Sequence, residues 1–215
     1  MRAEPERSGL LVDFGGVLTS SVWDSFAAFC RDKGLAEDSV RRLFRNDPEA
    51  LADLRELETG RIEEAQFERR FAERLGLEDA TDLIESMFRG MKPSEPMVAA
   101  VRAARAGRIR TGLVSNSWST SHYDRALLAE LFDAVVISAE VGLHKPEPEI
   151  YLLASKRLGV EPDRCVFVDD LRENCAGAEA VGMDAILHRD VGTTVARLEE
   201  LLGFTAPAAV PPAPR

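Results

Sequence analysis

Residues 9–16 read Gly9-Leu10-Leu11-Val12-Asp13-Phe14-Gly15-Gly16, an apolar run that ends on a carboxylate and two glycines. A short unbroken apolar run bounded by a turn signal describes a strand buried on both faces. Asp13 then falls at the C-terminal end of that strand, the edge at which open parallel α/β sheets bind ligands. The paired glycines let the backbone turn sharply and present N–H groups to an anion. A second run repeats the arrangement, with Cys165-Val166-Phe167-Val168 leading into Asp169-Asp170. Three acids at the ends of two buried strands repel one another unless positive charge lies between them. A hard divalent cation with oxygen ligands is the natural candidate.

Working outward, further apolar runs at Ile109–Val114, Ala134–Ile137 and Asp184–His188 read as strands. Helical patterns separate them near residues 94–106, 121–131, 147–158, 172–181 and 193–202. Alternation of this kind predicts an α/β fold, a Rossmann-like parallel sheet flanked by helices. Residues 20–92 differ. They hold few β-branched residues, and Phe26, Phe29, Leu43, Phe44, Ile62, Phe67, Phe71 and Leu75 recur at helical spacing. Asn46-Asp47-Pro48 is a helix start, and Thr59-Gly60 is a break. The expected organisation is therefore a core of residues 8–19 and 93–204, with an all-helical insertion (20–92) after the first strand. Its hinges are Thr19-Ser20-Ser21 and Gly90-Met91-Lys92-Pro93, and its charged helices read mostly as solvated faces. Residues 205–215 form a Pro- and Ala-rich tail.

Composition excludes several classes. There are 27 basic and 37 acidic residues, a net charge of −10, so the chain lacks the basic surface that general nucleic-acid or anionic-membrane binding needs. No segment reaches the roughly 18 apolar residues of a membrane span. The charged Met1–Arg7 stretch has no apolar signal core, and three scattered cysteines suggest neither a disulfide frame nor a zinc site. The expected compartment is the cytoplasm.

Val114-Ser115-Asn116 ends the second core strand as Asp13 ends the first, which offers a hydroxyl and a backbone N–H to one phosphate oxygen. Lys145 lies in Gly142-Leu143-His144-Lys145-Pro146-Glu147-Pro148, where Pro146 keeps it out of helical geometry. An ammonium there neutralises both Asp13 and a bound anion. Asn174, four residues beyond Asp170, is placed to orient the lysine or a metal-bound water. Trp118 reads as packing at the mouth of the core.

The order Asp13-Phe14-Gly15-Gly16-Val17-Leu18, Ser115-Asn116, Lys145-Pro146 and Asp169-Asp170 resembles the haloacid dehalogenase superfamily, its metal-dependent phosphatases in particular. Asn116-Ser117-Trp118, the Val141–Tyr151 segment and Val168–Asn174 are similar to the N-terminal phosphatase domain of soluble epoxide hydrolase. The resemblance implies a Rossmann-like core under a helical cap and a phosphoric-monoester hydrolase acting on a small phosphorylated metabolite, as monomer or homodimer. It implies Asp13 as nucleophile, forming an aspartyl-phosphate. Mg²⁺ would be held by Asp13, the Gly15 carbonyl and Asp170, with Asp169 in support. Gly16, Ser115, Asn116, Lys145 and Asn174 would bind the transferring phosphoryl group.

One position departs from the family. Its phosphatases usually carry a second Asp two residues after the nucleophile, as general acid and base, and this chain has Gly15 there. Positioned proton transfer contributes about 10²–10⁴-fold, or roughly 3–5 kcal/mol of barrier. Three consequences stand open: a substrate with a good leaving group, replacement of the acid by a water, His144 or a cap side chain, or a phospholigand-binding module with little turnover. A metal-free haloacid-dehalogenase-type hydrolase is the rival enzyme.

Overall fold

Five short strands lie side by side, every neighbouring pair parallel: β1 (Gly9–Val12), β2 (Arg110–Ser115), β3 (Ala134–Ile137), β4 (Cys165–Asp169) and β5 (Asp184–Leu187). The structure, a computed structural model, describes residues 7–121 and 123–207. The sheet order is β3-β2-β1-β4-β5. The chain leaves β1 toward β2 and β3 on one side, then returns to β4 and β5 on the other. The order therefore reverses between β1 and β4, and a crevice opens at their C-terminal ends.

Alternation along β1 sets the layers. Leu10 and Val12 join one buried cluster with Met97 and Val101 of α6 (Glu95–Ala106), Leu128 and Leu131 of α7 (Arg125–Leu131), and Leu198 and Leu202 of α11 (Val191–Leu202). Leu11 points the other way, into a cluster with Ile150, Tyr151 and Leu158 of α9 (Pro148–Leu158) and Ala178 of α10 (Arg172–Ala180). Helices on both faces account for the unbroken apolar runs of the central strands. Register then places the acids: Val12 pairs with Val168, and the Asp13 N–H donates to the Val168 carbonyl at 2.9 Å. Asp13 and Asp169 are thereby neighbours across two strands.

Between β1 and β2 the chain forms α1 (Val22–Asp32), α2 (Ser39–Asn46), α3 (Pro48–Glu58), α4 (Glu64–Leu75) and α5 (Leu83–Phe88). They pack around their own cluster, with Phe26, Phe29, Phe44, Phe67, Phe71 and Met87 buried. The expected helix start is present: the Asp47 carboxylate accepts the N–H groups of Glu49 and Ala50, with Pro48 as the first helical residue. α3 ends before Gly60, whose φ of +68° a side chain would disfavour. The two segments read as hinges lie against each other. Thr19 bridges to Pro93, and the Ser20 N–H donates to the Lys92 carbonyl at 2.7 Å. Trp118, from the loop after β2, enters the helical unit instead of resting at the core's mouth. Its ring lies 5.3–6.2 Å from those of Phe26, Phe44, Phe67, Phe71 and Phe88.

Local boundaries differ from the sequence reading in places. The helix expected from 121 starts at Arg125, because Asp124 accepts the N–H groups of Ala126 and Leu127 and so caps it there. The four-residue helix α8 (Ser138–Val141) is too short to show periodicity. β2 runs one residue later than expected, so Ser115 is its last residue. The part of the proposed tail at 208–215 lies outside the described residues. Among the described residues, no helix is long and apolar enough to cross a membrane.

Phe67 is fully buried beneath Trp118. Phe67→Ala is expected to lower stability by about 3–5 kcal/mol, measured as the shift in a urea unfolding midpoint at unchanged slope.

Candidate active site

The Lys145 ammonium sits between two acids, 2.7 Å from Asp13 Oδ1 and 2.7 Å from Asp169 Oδ2. Lys145 is 1% exposed and Asp169 is fully buried, so neither charge has water to fall back on. Asp169 is held on its other side as well. It accepts the Leu171 N–H at 2.9 Å and the Asn174 amide at 3.0 and 3.1 Å. Asp169 therefore aims the lysine, and Asn174 aims Asp169; the Asn174 amide is committed to that carboxylate. Asp170 is left as the third acid. Oxygens of Asp13, Asp169 and Asp170 lie within 4.8 Å of one another.

The turn after β1 brings backbone up against this cluster. Gly16 has φ of +76°, and a Cβ there would lie 2.5 Å from Asp170 Oδ2. Glycine is required on both counts. Its N–H meets the Thr19 hydroxyl at 3.2 Å. At Gly15 the obstacle is different: a Cβ would lie 2.9 Å from Val22 Cγ2, in the first turn of α1.

On the other side, Ser115 Oγ lies 2.9 Å from the Tyr123 hydroxyl, whose ring packs on Phe14 at 4.9 Å. Asn116 grips the lysine's own backbone: its Oδ1 accepts the Lys145 N–H at 2.9 Å and its Nδ2 donates to the Lys145 carbonyl at 3.1 Å. The same Nδ2 is 2.9 Å from His144 Nε2, and that ring nitrogen is 2.5 Å from Glu58 Oε2 on α3. Asp13, Ser115, Asn116, Lys145 and Asp170 open onto one cavity of about 830 Å³. Its outer walls come from the helical unit and are largely apolar, with Trp23, Phe26, Phe44, Leu54 and Phe88 joined by Trp118, while Arg41, Arg45, Glu85 and Arg89 also line them.

A haloacid dehalogenase-like hydrolase family model matches residues 8–182, a span that contains every one of these groups. The chain belongs to the haloacid dehalogenase-like hydrolases. Over 128 residues it is 34% identical to bifunctional epoxide hydrolase 2 of Rattus norvegicus, covering 56% of this chain and 23% of that one. Over 113 residues it is 34% identical to fructose-1-phosphate phosphatase YqaB of Escherichia coli strain K12, covering 50% and 58%. The chain thus spans less than two thirds of either relative. Among solved structures, a haloacid dehalogenase family enzyme of Bacteroides thetaiotaomicron in complex with magnesium and inorganic phosphate superposes with a TM-score of 0.63. Identity there is 20%, covering 85% of this chain and 94% of that one, a likeness of fold.

Electrostatics in this dehalogenase-like site are unbalanced. Three carboxylates face one ammonium. Burial, reinforced by Asp169 and Asp170, pushes the Asp13 carboxyl up to about 7 against the opposing pull of Lys145. Burial and then Asp169 push Asp170 up to about 6. The two acids hold Lys145 protonated well above the usual lysine range, although burial alone acts the other way. A hard cation with oxygen ligands relieves both raised acids at once, so the donor set fits a divalent ion such as magnesium.

Two polar residues that line the site escaped sequence reading. Tyr123 follows a Ser/Thr-rich stretch and was read as part of the 121–131 helix, which gave it no link to Ser115. Glu58 closes a charged helix that reads as solvated, yet it is 7% exposed and faces His144. The Glu-Thr-Gly helix ending was the only sequence cue to its place.

Raised acids bind protons more tightly in the folded chain, so their contribution to stability is full below the unfolded value of 3.8 and is lost as pH rises through 6 to 7. The metal-free protein is expected to lose thermal stability as pH rises from about 5 to about 8. Saturating magnesium is expected to flatten that slope. Unfolding midpoints across this range, with Mg²⁺ and with chelator, check both.

Proposed function

We propose that this hydrolase is a magnesium-dependent phosphatase of the cytoplasm that acts on a small phosphorylated metabolite through an aspartyl-phosphate. The observation that carries the reading is the buried Lys145 ammonium clamped between Asp13 and Asp169, with Asp170 adjoining. Magnesium, held by Asp13, the Gly15 carbonyl and Asp170 with Asp169 behind, would neutralise a phosphate dianion beside these acids.

The chain's own residues do the rest. Asp13 is the nucleophile at the strand end; Lys145 favours its ionised form and reaches for a phosphoryl oxygen, and a bound divalent ion would complete that ionisation. The Ser115 hydroxyl, oriented by Tyr123, and the Asn116 N–H hold other phosphoryl oxygens as charge builds on them. Asn116 also fixes the backbone from which Lys145 projects. The helical unit acts as a cap: its aromatic wall keeps water from the reacting centre and receives the alcohol part of the ester. An alcohol with an apolar body suits that wall better than a bare polyol does.

The metal-free dehalogenase reading is disfavoured by Asp170. A halide-displacing carboxylate has no use for a third acid beside it, and that acid costs repulsion with nothing to offset it.

Phosphate release from p-nitrophenyl and 2-phenylethyl phosphate is expected to need Mg²⁺ and to fall at least about 10³-fold in Asp13→Asn. 2-Phenylethyl phosphate is expected to give a higher kcat/KM than a hexose phosphate. Metal-independent chloride release from a 2-haloacid, with no phosphate release, would establish the dehalogenase instead.

A further inference from the structure

Both halves of the proposed reaction move a proton, one onto the leaving oxygen and one off the attacking water. Position 15 cannot supply it. The residue is glycine, and a Cβ there would meet Val22 Cγ2 of α1 at 2.9 Å. The donor must come from another wall of the cavity.

Besides Asp13, Lys145 and Asp170, and apart from Lys92 and the arginines, the ionisable side chains that line the cavity are Glu85, Glu173, Tyr123, His144 and Glu58. Glu85 and Glu173 are exposed to solvent. The Tyr123 hydroxyl is engaged with Ser115, and burial pushes its phenol up, away from neutral-pH proton exchange. His144 and Glu58 remain, and they are paired. Nε2 and Oε2 lie 2.5 Å apart, on side chains 17% and 10% exposed. A carboxylate oxygen and an unprotonated ring nitrogen are both acceptors, so a contact this short holds a proton between them. Asn116 bounds the ring's position: its amide, oriented by two bonds to the Lys145 backbone, lies 2.9 Å from the same Nε2, by contact and not by a hydrogen bond while the proton is shared with Glu58.

We infer that the His144–Glu58 pair is the proton shuttle of this hydrolase, in place of the acid that position 15 lacks. The inference rests on the phosphatase reading. In the first half-reaction an Asp13 oxygen bonds to phosphorus, the bond from phosphorus to the ester oxygen breaks, and that oxygen leaves as the alcohol with the shared proton. In the second, water attacks phosphorus, the bond to the Asp13 oxygen breaks, and the water's proton returns to the pair. Glu58 ends α3 and His144 precedes Lys145, so the shuttle is complete only when the helical unit is seated. The Arg55–Glu147 ion pair, from the same helix to the same loop, supports that seating.

The test compares Glu58→Gln and His144→Asn with the unaltered protein on two esters, at saturating Mg²⁺. p-Nitrophenolate leaves without a proton, whereas 2-phenylethoxide needs one. In both variants kcat/KM, which reports the first half-reaction, is expected to fall about 10²-fold or more on 2-phenylethyl phosphate. On p-nitrophenyl phosphate it is expected to hold within about threefold, with a burst of nitrophenolate as phosphoenzyme accumulates. The ratio between esters is taken on one preparation, so a change in folded fraction cancels. Equal losses on both esters would overturn the inference in favour of a role confined to positioning Lys145, and so would no loss on either. An unaltered protein active only on p-nitrophenyl phosphate would overturn it as well. Failure of the phosphatase reading looks different: no release from either ester, or full release in Asp13→Asn.

Discussion

One buried ammonium holds this site together. Lys145 lies between Asp13 and Asp169 with almost no exposed surface, and each of the three charges is tolerable there only because the others are present. Removing one partner from such a group strands the remainder in a medium that cannot solvate it, at a cost of about 3–5 kcal/mol. The surrounding structure reads as support for this contact. Parallel register sets Asp13 beside Asp169, Asn174 and the Leu171 N–H fix Asp169, and Asn116 fixes the backbone of Lys145. Asp170 adds a negative charge that the lysine does not offset. That surplus fits the site to a divalent cation.

The helical unit is tied to this centre at two points of different character. Trp118, two residues beyond Asn116, is enclosed by five phenylalanines of the helices. Glu58 meets His144, which adjoins both Asn116 and Lys145. One tie is apolar and one polar, and both end on the loops that carry Ser115, Asn116 and Lys145. The packing of the helices and the placement of these loops are thus coupled through shared contacts.

Much of this was legible in the order of residues. Asp13, Ser115 and Asp169 announce themselves because each ends an apolar run, and a parallel sheet puts such ends on one edge. Lys145 was visible through its Lys-Pro context. The helical insertion showed itself through phenylalanines at helical spacing. The remainder was hidden for a physical reason: it depends on which loop folds over which. Trp118 gave no sign that it would cross into the helices. Tyr123 fell within a stretch read as helix, and a glutamate on a charged helix looks solvated until another element covers it. The vacancy at Gly15 was plain, but Val22 as its occupant was not, because that contact joins a turn to a helix in the tertiary structure.

A crystal structure grown with magnesium and a phosphoryl mimic such as beryllium fluoride decides whether these acids hold the ion. The expected result is one ion with oxygens of Asp13 and Asp170 both bound to it at about 2.0–2.1 Å, with the Lys145 ammonium and the Ser115 hydroxyl on the mimic's fluorines. A mimic seated away from Asp13, or an ion bound without either Asp13 or Asp170, would contradict it.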